Sequence, residues 1–351
     1  MQNGKFGKMK HILVTGSEGY IGTVMIEELI ANGFKVTGLD SCFFSNGNID
    51  NSQRVKYNLI KKDIRNIELT DLKNQNYYAI IHLAALSNDP LGTINEQLTY
   101  DINYHASVKL AKLAKLAKIK KFIFSSSCSL YGDGKGKILN ENSSSNPQTP
   151  YGKSKILAEQ EISKIASNNF SPIFMRNATV FGFSPRMRFD IVVNNLTAYS
   201  KVENKIKILG DGQPWRPLVH IKDICKSFIT VLNAPIEKIH NQAFNIGSSD
   251  ENYQIKVIAQ HIQAINNCKI IVAKKNLEDS RDYNVCFDKL KNELNFTIDF
   301  TLDLGIIELF KKYNAISLDS DFYHRYYTRL DQIKYLINNK EINKELEWIK
   351  H

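Results

Sequence analysis

Three tyrosines in this chain are followed four residues later by a lysine: Tyr57/Lys61, Tyr131/Lys135 and Tyr151/Lys155. A phenol and an ammonium at that spacing can work as a proton carrier and its electrostatic tuner, because a nearby cation favours the phenolate. The spacing alone means little, since this composition supplies about two such pairs by chance. Context separates the three. Tyr57 falls beside a predicted strand, and Tyr131 lies in a predicted glycine-rich loop, YGDGKG. Tyr151 instead follows Pro150 at a predicted helix start, which puts Lys155 one turn on, along the same face. Upstream, a predicted strand ends in SSSCSLYG. Strand ends beside a crevice are where a doubly wound sheet carries its chemistry.

The elements that would position these groups alternate. A strand at Ile12 to Val14 meets a glycine-rich turn, a helix at about 21 to 31, and a strand from Lys35 to Leu39 ending at Asp40. Further strands are predicted near 55 to 60, at Ala79 to Leu83, at 121 to 127 and at Pro172 to Arg176, with helices near 94 to 118 and 151 to 168. This alternation predicts an α/β fold, a parallel doubly wound (Rossmann) sheet covered on both faces. After residue 180 the pattern loosens into a helix near 190 to 200, a short strand at Ile206 to Leu209 and a helix at 222 to 233. The strand QAFNIGSS then returns to the sheet. The expected organisation is a dinucleotide-binding domain over 1–180, rejoined at about 216–247, a smaller mixed α/β lobe over 181–320, and a helical appendage over 321–351. The aromatic cluster of that tail is expected to pack on the body or a second subunit, with a lid or partner site as the alternative.

Gly16, Gly19 and Gly22 sit between the first strand and the first helix. Glycines there permit a tight turn and close approach of backbone to a pyrophosphate, which the helix N-terminus attracts. Tyr20 and Ile21 share that turn. Asp40 at the end of the second strand can accept hydrogen bonds from a ribose 2′-OH and would repel a 2′-phosphate, so NAD is favoured over NADP. Asp63 and Ile64 could flank the adenine. Leu83, Ala84 and Ala85 offer small residues where the cofactor backbone would run, and Ser125 lies at the end of the central strand. Each of these last positions could equally be plain sheet packing.

Composition narrows the class. The 351 residues are 43% hydrophobic and 23% charged, with a net charge of +10, as in an ordinary globular protein with a large core. The positive balance fits anionic ligands or coding bias, and no nucleic-acid motif accompanies it. No apolar run reaches the about 20 residues that span a bilayer, and MQNGKFGKMK lacks the apolar segment of a signal peptide. Five scattered cysteines suggest reduced thiols and a cytoplasmic location, and the dispersed histidines suggest no metal site. The run KLAKLAKLAKIKK at 109 to 121 drifts about 60° per repeat around a helix, so its lysines form no clean polar face. Ile102, Ala106, Leu110, Leu113 and Ala117 share one arc, which predicts a packing helix.

Taken in order, G-x-x-G-x-x-G at 16 to 22, Asp40, HLAALS, SSSCSLYG, YGKSK, RNATVFG from Arg176, VVNNL at 192 to 196 and RPLVHIKDI from Arg216 resemble the extended short-chain dehydrogenase/reductases, specifically the NAD-dependent nucleotide-sugar epimerase/dehydratase group. The resemblance covers nearly the whole chain. It implies Tyr151 as general base and acid, Lys155 on the nicotinamide ribose, and Ser127 as the hydrogen-bonding serine. It also implies contacts from Asn195, Arg216 and Arg281 to the nucleotide diphosphate of the substrate. Dehydratases of the group carry an acid pair after the triad serine or threonine, where this chain has Cys128 and Ser129. A hydroxyl at Ser129 matches the 4-epimerases, where it positions the sugar. Thr179 replaces a common asparagine. The run SPRMRFD, with Arg186 and Arg188, resembles a subset that includes 4-dehydrogenases acting on GDP-heptoses. The resemblance therefore implies C4 oxidation of a nucleotide sugar, first of all by a 4-epimerase, with a 4-dehydrogenase or 4-keto reductase as the alternative and a 4,6-dehydratase behind it. A non-catalytic dinucleotide-binding protein is the remote alternative. The helices beginning near 95 and 151 match those of a four-helix homodimer interface in the family, and polysaccharide biosynthesis is the expected setting.

Overall fold

The structure, a computed structural model, describes residues 9–50, 55–73, 75–87, 95–273 and 282–349. Apolar strand segments pair into one seven-stranded sheet whose spatial order is Gln242–Ile246, Ser171–Asn177, Lys121–Ser127, Tyr77–His82, His11–Thr15, Lys35–Asp40 and Asn58–Lys61. Every pairing is parallel. The direction of winding reverses between His11–Thr15 and Tyr77–His82, which opens a crevice at the carboxyl ends of the strands.

Alternate side chains of each strand feed two cores. Ile12, Val14, Ile81, Ile123 and Met175 face one side, with Val24, Leu29 and Phe228 from the helices Tyr20–Ala31 and Ile221–Asn233. Leu13, Leu39, Ile80, Phe122 and Phe124 face the other, against Leu110, Ala111, Ala114 and Ile162. A fully buried leucine such as Leu110 contributes about 2 kcal/mol of transfer free energy.

The lysine-rich repeat packs as expected, with a change of phase. Ile102, Ala106 and Leu110 are buried, yet Leu113 and Ala117 are only partly so, and Ala111 and Ala114 take the core positions. A π-helical turn, Asp101–His105, lies between the helices Glu96–Tyr100 and Ala106–Leu116.

Among the described residues three smaller sheets follow. Trp215–His220 pairs with Thr179–Phe181 in parallel and with Asn252–Gln254 in antiparallel. Lys205–Leu209 pairs with Lys269–Ala273, and Asp133–Leu139 with Asp282–Val285. The glycine-rich run after Tyr131 is therefore a strand rather than a loop. The chain does return to the main sheet, as its outermost strand Gln242–Ile246.

The tail differs most from expectation. Among its described residues it is α-helical only over Arg329–Asn338, preceded by the 3-10 turns Ser320–Tyr323 and Arg325–Tyr327, and its Phe322 and Tyr327 pack on Phe189 of the body. Among the described residues no helix is long and apolar enough to cross a membrane, and no cluster of His, Cys, Asp or Glu could hold a metal ion. All five cysteines are free thiols.

Candidate active site

The glycine turn is held tightly between sheet and helix. Gly16 has φ +74°, and a Cβ there would lie 2.7 Å from the Ala84 amide nitrogen. A Cβ on Gly22 would lie 2.0 Å from the Gly16 carbonyl oxygen. Gly16 must therefore lack a side chain, because the backbone of Leu83 and Ala84 lies against it. Gly19 caps the helix Tyr20–Ala31 without any side-chain hydrogen bond, and its first turn holds no acid. Its N–H groups and positive end are left to attract an anion.

Asp40 ends the second strand and accepts hydrogen bonds from the Glu18 amide (3.0 Å) and the Cys42 amide (2.7 Å), one on each oxygen. Burial raises its pKa, and those amide donors oppose the rise. Asp63 is engaged by Arg65, whose Nη2 donates to it at 2.7 Å.

Across the crevice, Thr149 caps the helix Pro150–Lys164 by accepting from the Gly152 amide, with proline at the first helical position. That start aims Tyr151 and Lys155 inward. Lys155 is 2% exposed, and its Nζ donates to the Ser125 carbonyl at 2.7 Å and sits 5.7 Å from the Tyr151 ring centre. Burial pushes its pKa down to about 7, with Glu159 pulling the other way. Ser127 accepts from the Ser129 amide and caps the 3-10 turn Cys128–Tyr131. The other two tyrosine–lysine pairs are elsewhere. Tyr57 hydroxyl donates to the Glu18 carboxylate, and Tyr131 is buried between Arg176 and Asn245.

One cavity of about 860 Å³ joins these groups. Its wall holds Gly16, Gly19, Tyr20, Ile21, Gly22, Asp40, Asp63, Ile64, Leu83, Ala84, Ala85, Ser125, Ser127, Ser129, Tyr151, Lys155, Thr179, Arg188, Asn195 and Arg216. Ser126 Oγ, Ser129 Oγ and Asn177 Oδ1, all on residues of this wall, are buried without a hydrogen-bond partner. Unpaired polar atoms in a cavity are what a polar ligand would satisfy.

Two expected residues are not brought there. Arg186 is 1% exposed and is held behind the wall by Glu18 (2.6 Å) and the Ser45 carbonyl, so a substrate contact from its guanidinium is not available in this arrangement. Arg281 lies outside the described residues. Arg188 does line the cavity, paired with Asp190 at 2.9 Å and donating to Ser87.

Residue spacing did not reveal three further participants. Asn103, fully buried in the π-helical turn, exchanges hydrogen bonds with both backbone groups of Leu86 and donates to Ser154, tying the cavity floor to the Tyr151 helix. His82 bridges Thr15 and Ser107, and burial lowers its pKa to about 3, so it is a neutral brace. The tail contributes Tyr323, Thr328, Arg329, Leu330 and Asp331 to the wall. No local pattern could announce that, because it depends on where the last helix docks.

The model of the NAD dependent epimerase/dehydratase family matches residues 12–247. Among curated proteins, the uncharacterized UDP-glucose epimerase YtcB of Bacillus subtilis is 30% identical over 259 residues, 71% of this chain and 80% of that protein. The putative UDP-glucose 4-epimerase of Methanocaldococcus jannaschii is 29% identical over 245 residues, 68% of this chain and 77% of that protein. Among solved structures, the UDP-glucuronic acid 4-epimerase of Bacillus cereus, in complex with UDP-glucuronic acid and NAD, aligns with a TM-score of 0.74 at 24% identity, covering 87% of this chain and 99% of that one. That likeness shows the shared fold. With two thirds of its length inside the family model and these motifs gathered on one cavity, the chain belongs to the NAD dependent epimerase/dehydratase family.

Proposed function

We propose that this protein uses NAD to oxidise C4 of a nucleotide-diphosphate sugar and then reduces it from the opposite face, as a nucleotide-sugar 4-epimerase. The observation that carries this reading is the single cavity that joins the glycine turn and Asp40 to Ser127, Ser129, Tyr151 and Lys155, and beyond them to Asn195 and Arg216. A dinucleotide fits the first half. The cradle at Gly16 leaves no room for a Cβ, the helix end above it is uncapped, and Asp40 keeps lone pairs for ribose hydroxyls. When bound, NAD supplies a nicotinamide ring able to accept a hydride.

The chain's own groups move the proton. Tyr151 takes it from the C4 hydroxyl and later returns it. Ser127 hydrogen-bonds the same oxygen, and Lys155 stabilises the phenolate while holding the nicotinamide ribose. Ser129, whose Oγ is buried without a hydrogen-bond partner, binds the sugar. Asn195 and Arg216, with Arg281, hold the nucleotide diphosphate, for which arginine's two-oxygen geometry is suited, and Thr179 is a further substrate-binding position. Relatives named UDP-glucose 4-epimerases support the class. Cys128 and Ser129 leave no acid pair beside Ser127 to eliminate water. A second reading, a 4-dehydrogenase or 4-keto reductase, is favoured by Arg188, which brings part of SPRMRFD to the cavity wall.

The same proposal assigns cofactor binding to 1–180 with 216–247, substrate binding to 181–320, and makes the protein a cytoplasmic homodimer in polysaccharide biosynthesis. The test offers UDP-, GDP-, dTDP- and CDP-sugars with NAD and follows nicotinamide absorbance and product NMR together. A new C4 stereoisomer without net cofactor reduction is expected. Stoichiometric cofactor reduction with a 4-keto product would give the second reading instead.

A further inference from the structure

Beyond the family-matched span, the described tail residues fold back across the cavity. Phe322 packs edge-on against Phe189 (5.1 Å) and Tyr199 (4.9 Å). Gln332 donates to the Phe43 carbonyl at 3.2 Å, and the Trp348 indole N–H donates to the Ser41 carbonyl at 2.7 Å. Arg65, already on Asp63, donates to the carbonyls of Glu345 and Leu346. The tail is therefore fastened at both ends of the crevice.

Within it, Arg329 is anomalous. It is 3% exposed, lines the cavity, and lies 4.3 Å over the Phe44 ring. Three other buried arginines have carboxylates: Arg176 has Glu159 (2.7 Å), Arg186 has Glu18 (2.6 Å) and Arg188 has Asp190 (2.9 Å). Arg329 has no ion pair among the described residues, and its hydrogen bond, at 3.2 Å, goes to the Arg186 carbonyl. Burial and the nearby charge of Arg188 push its pKa down to about 9, against the pull of Asp190. A buried cation in this position is costly unless a counter-charge arrives.

We propose that Arg329 binds the diphosphate of the dinucleotide cofactor, so that docking of the segment 320–349 and retention of the cofactor are one coupled equilibrium. This rests on the reading of the cavity as an NAD site. The location selects the diphosphate. Asp40 marks the adenosine ribose and Tyr151 with Lys155 the nicotinamide end, while the charges around Arg329 are Arg188, Asp190, Arg186 and Asp40. Phe44, under its guanidinium, belongs to the loop that follows Asp40. The other diphosphate in the reaction, that of the nucleotide sugar, has Arg216 and Asn195 at its own part of the wall.

The test compares wild type with Arg329→Met and Arg329→Lys in the full chain, by calorimetric titration with NAD and separately with UDP, alongside the NAD content of the purified proteins. Wild type binds NAD; if it does not, the cofactor reading itself is wrong, and Arg329 loses its ligand with it. Loss of a charge-assisted, two-point contact should weaken NAD binding by about ten- to a hundred-fold in Arg329→Met, with partial rescue in Arg329→Lys. UDP affinity should be unchanged, and the ligand-free melting temperature should hold or rise because an unpaired buried charge is gone. Hydrogen exchange across 320–349 should slow on adding NAD to wild type and not to Arg329→Met. Equal NAD affinity in all three proteins would overturn the proposal. So would a variant that loses UDP instead, which would hand Arg329 to the substrate. If Arg329→Met does not fold, Arg329→Lys decides: wild-type NAD affinity and unchanged exchange there would also overturn it.

Discussion

Tyr151 and Lys155 are separated by one helical turn, yet their environments differ in a way that can be measured. Tyr151→Phe keeps the ring and removes the proton carrier. Its turnover should fall by about 10²- to 10⁴-fold while NAD content stays at the wild-type level, and unchanged turnover would sink the mechanism. Lys155 makes a different prediction. Its pKa in the fold is about 7, against about 10.4 when unfolded. Below about pH 7 both states hold the proton, and the cost of the buried ammonium is fully present. Between about pH 7 and 10 the unfolded chain still binds a proton that the folded chain has released, so stability rises with pH. Denaturant titrations of ligand-free protein should show this rise, up to about 1.4 kcal/mol per pH unit from this group, and Lys155→Met should lack it. Parallel pH profiles for the two proteins would refute the assignment.

At the scale of elements, the site depends on contacts made by backbone. Gly16→Ala would place a methyl 2.7 Å from the Ala84 amide at a φ of +74°. A left-handed conformation costs an alanine about 1–2 kcal/mol even before the clash. Chemical denaturation should report at least that loss, together with reduced NAD content; a variant of wild-type stability would mean the turn relaxes freely. The glycine turn, the alternating strands and the Pro150 helix start were all legible because each is a local pattern of spacing and residue type. The strand Asp133–Leu139 was not, since its partner Asp282–Val285 lies far along the chain and its glycines read as a loop. Nor was the π-helical turn, which sets Asn103 against Leu86 and Ser154. Arg186 illustrates the converse. Its motif suggested a ligand contact, and only three-dimensional pairing with Glu18 reveals a buried brace.

For the whole molecule, the question is how many chains make the enzyme. The helices Ala106–Leu116 and Pro150–Lys164 lie side by side over one face of the main sheet. Their outer side forms a shallow groove lined by Tyr104, Val108, Leu113 and Glu161, with Lys109 and Lys112 at hand. Leu116 and Leu157 are exposed nearby, at 64% and 36%. Two copies related by a twofold axis would bring four helices together and cover these apolar side chains, provided the contact reaches the about 1,200–2,000 Å² typical of stable association. The groove also connects to function, because Tyr151 and Lys155 sit on the inner side of Pro150–Lys164 and Asn103, in the π-helical turn before Ala106–Leu116, bonds to Ser154 of that helix. Light scattering should give twice the chain mass. Leu157→Arg, an exposed position where a charge costs the monomer little, should halve that mass and leave the secondary structure unchanged. A wild-type monomer at micromolar concentration, or a Leu157→Arg protein that stays dimeric, would remove these helices from any role in assembly.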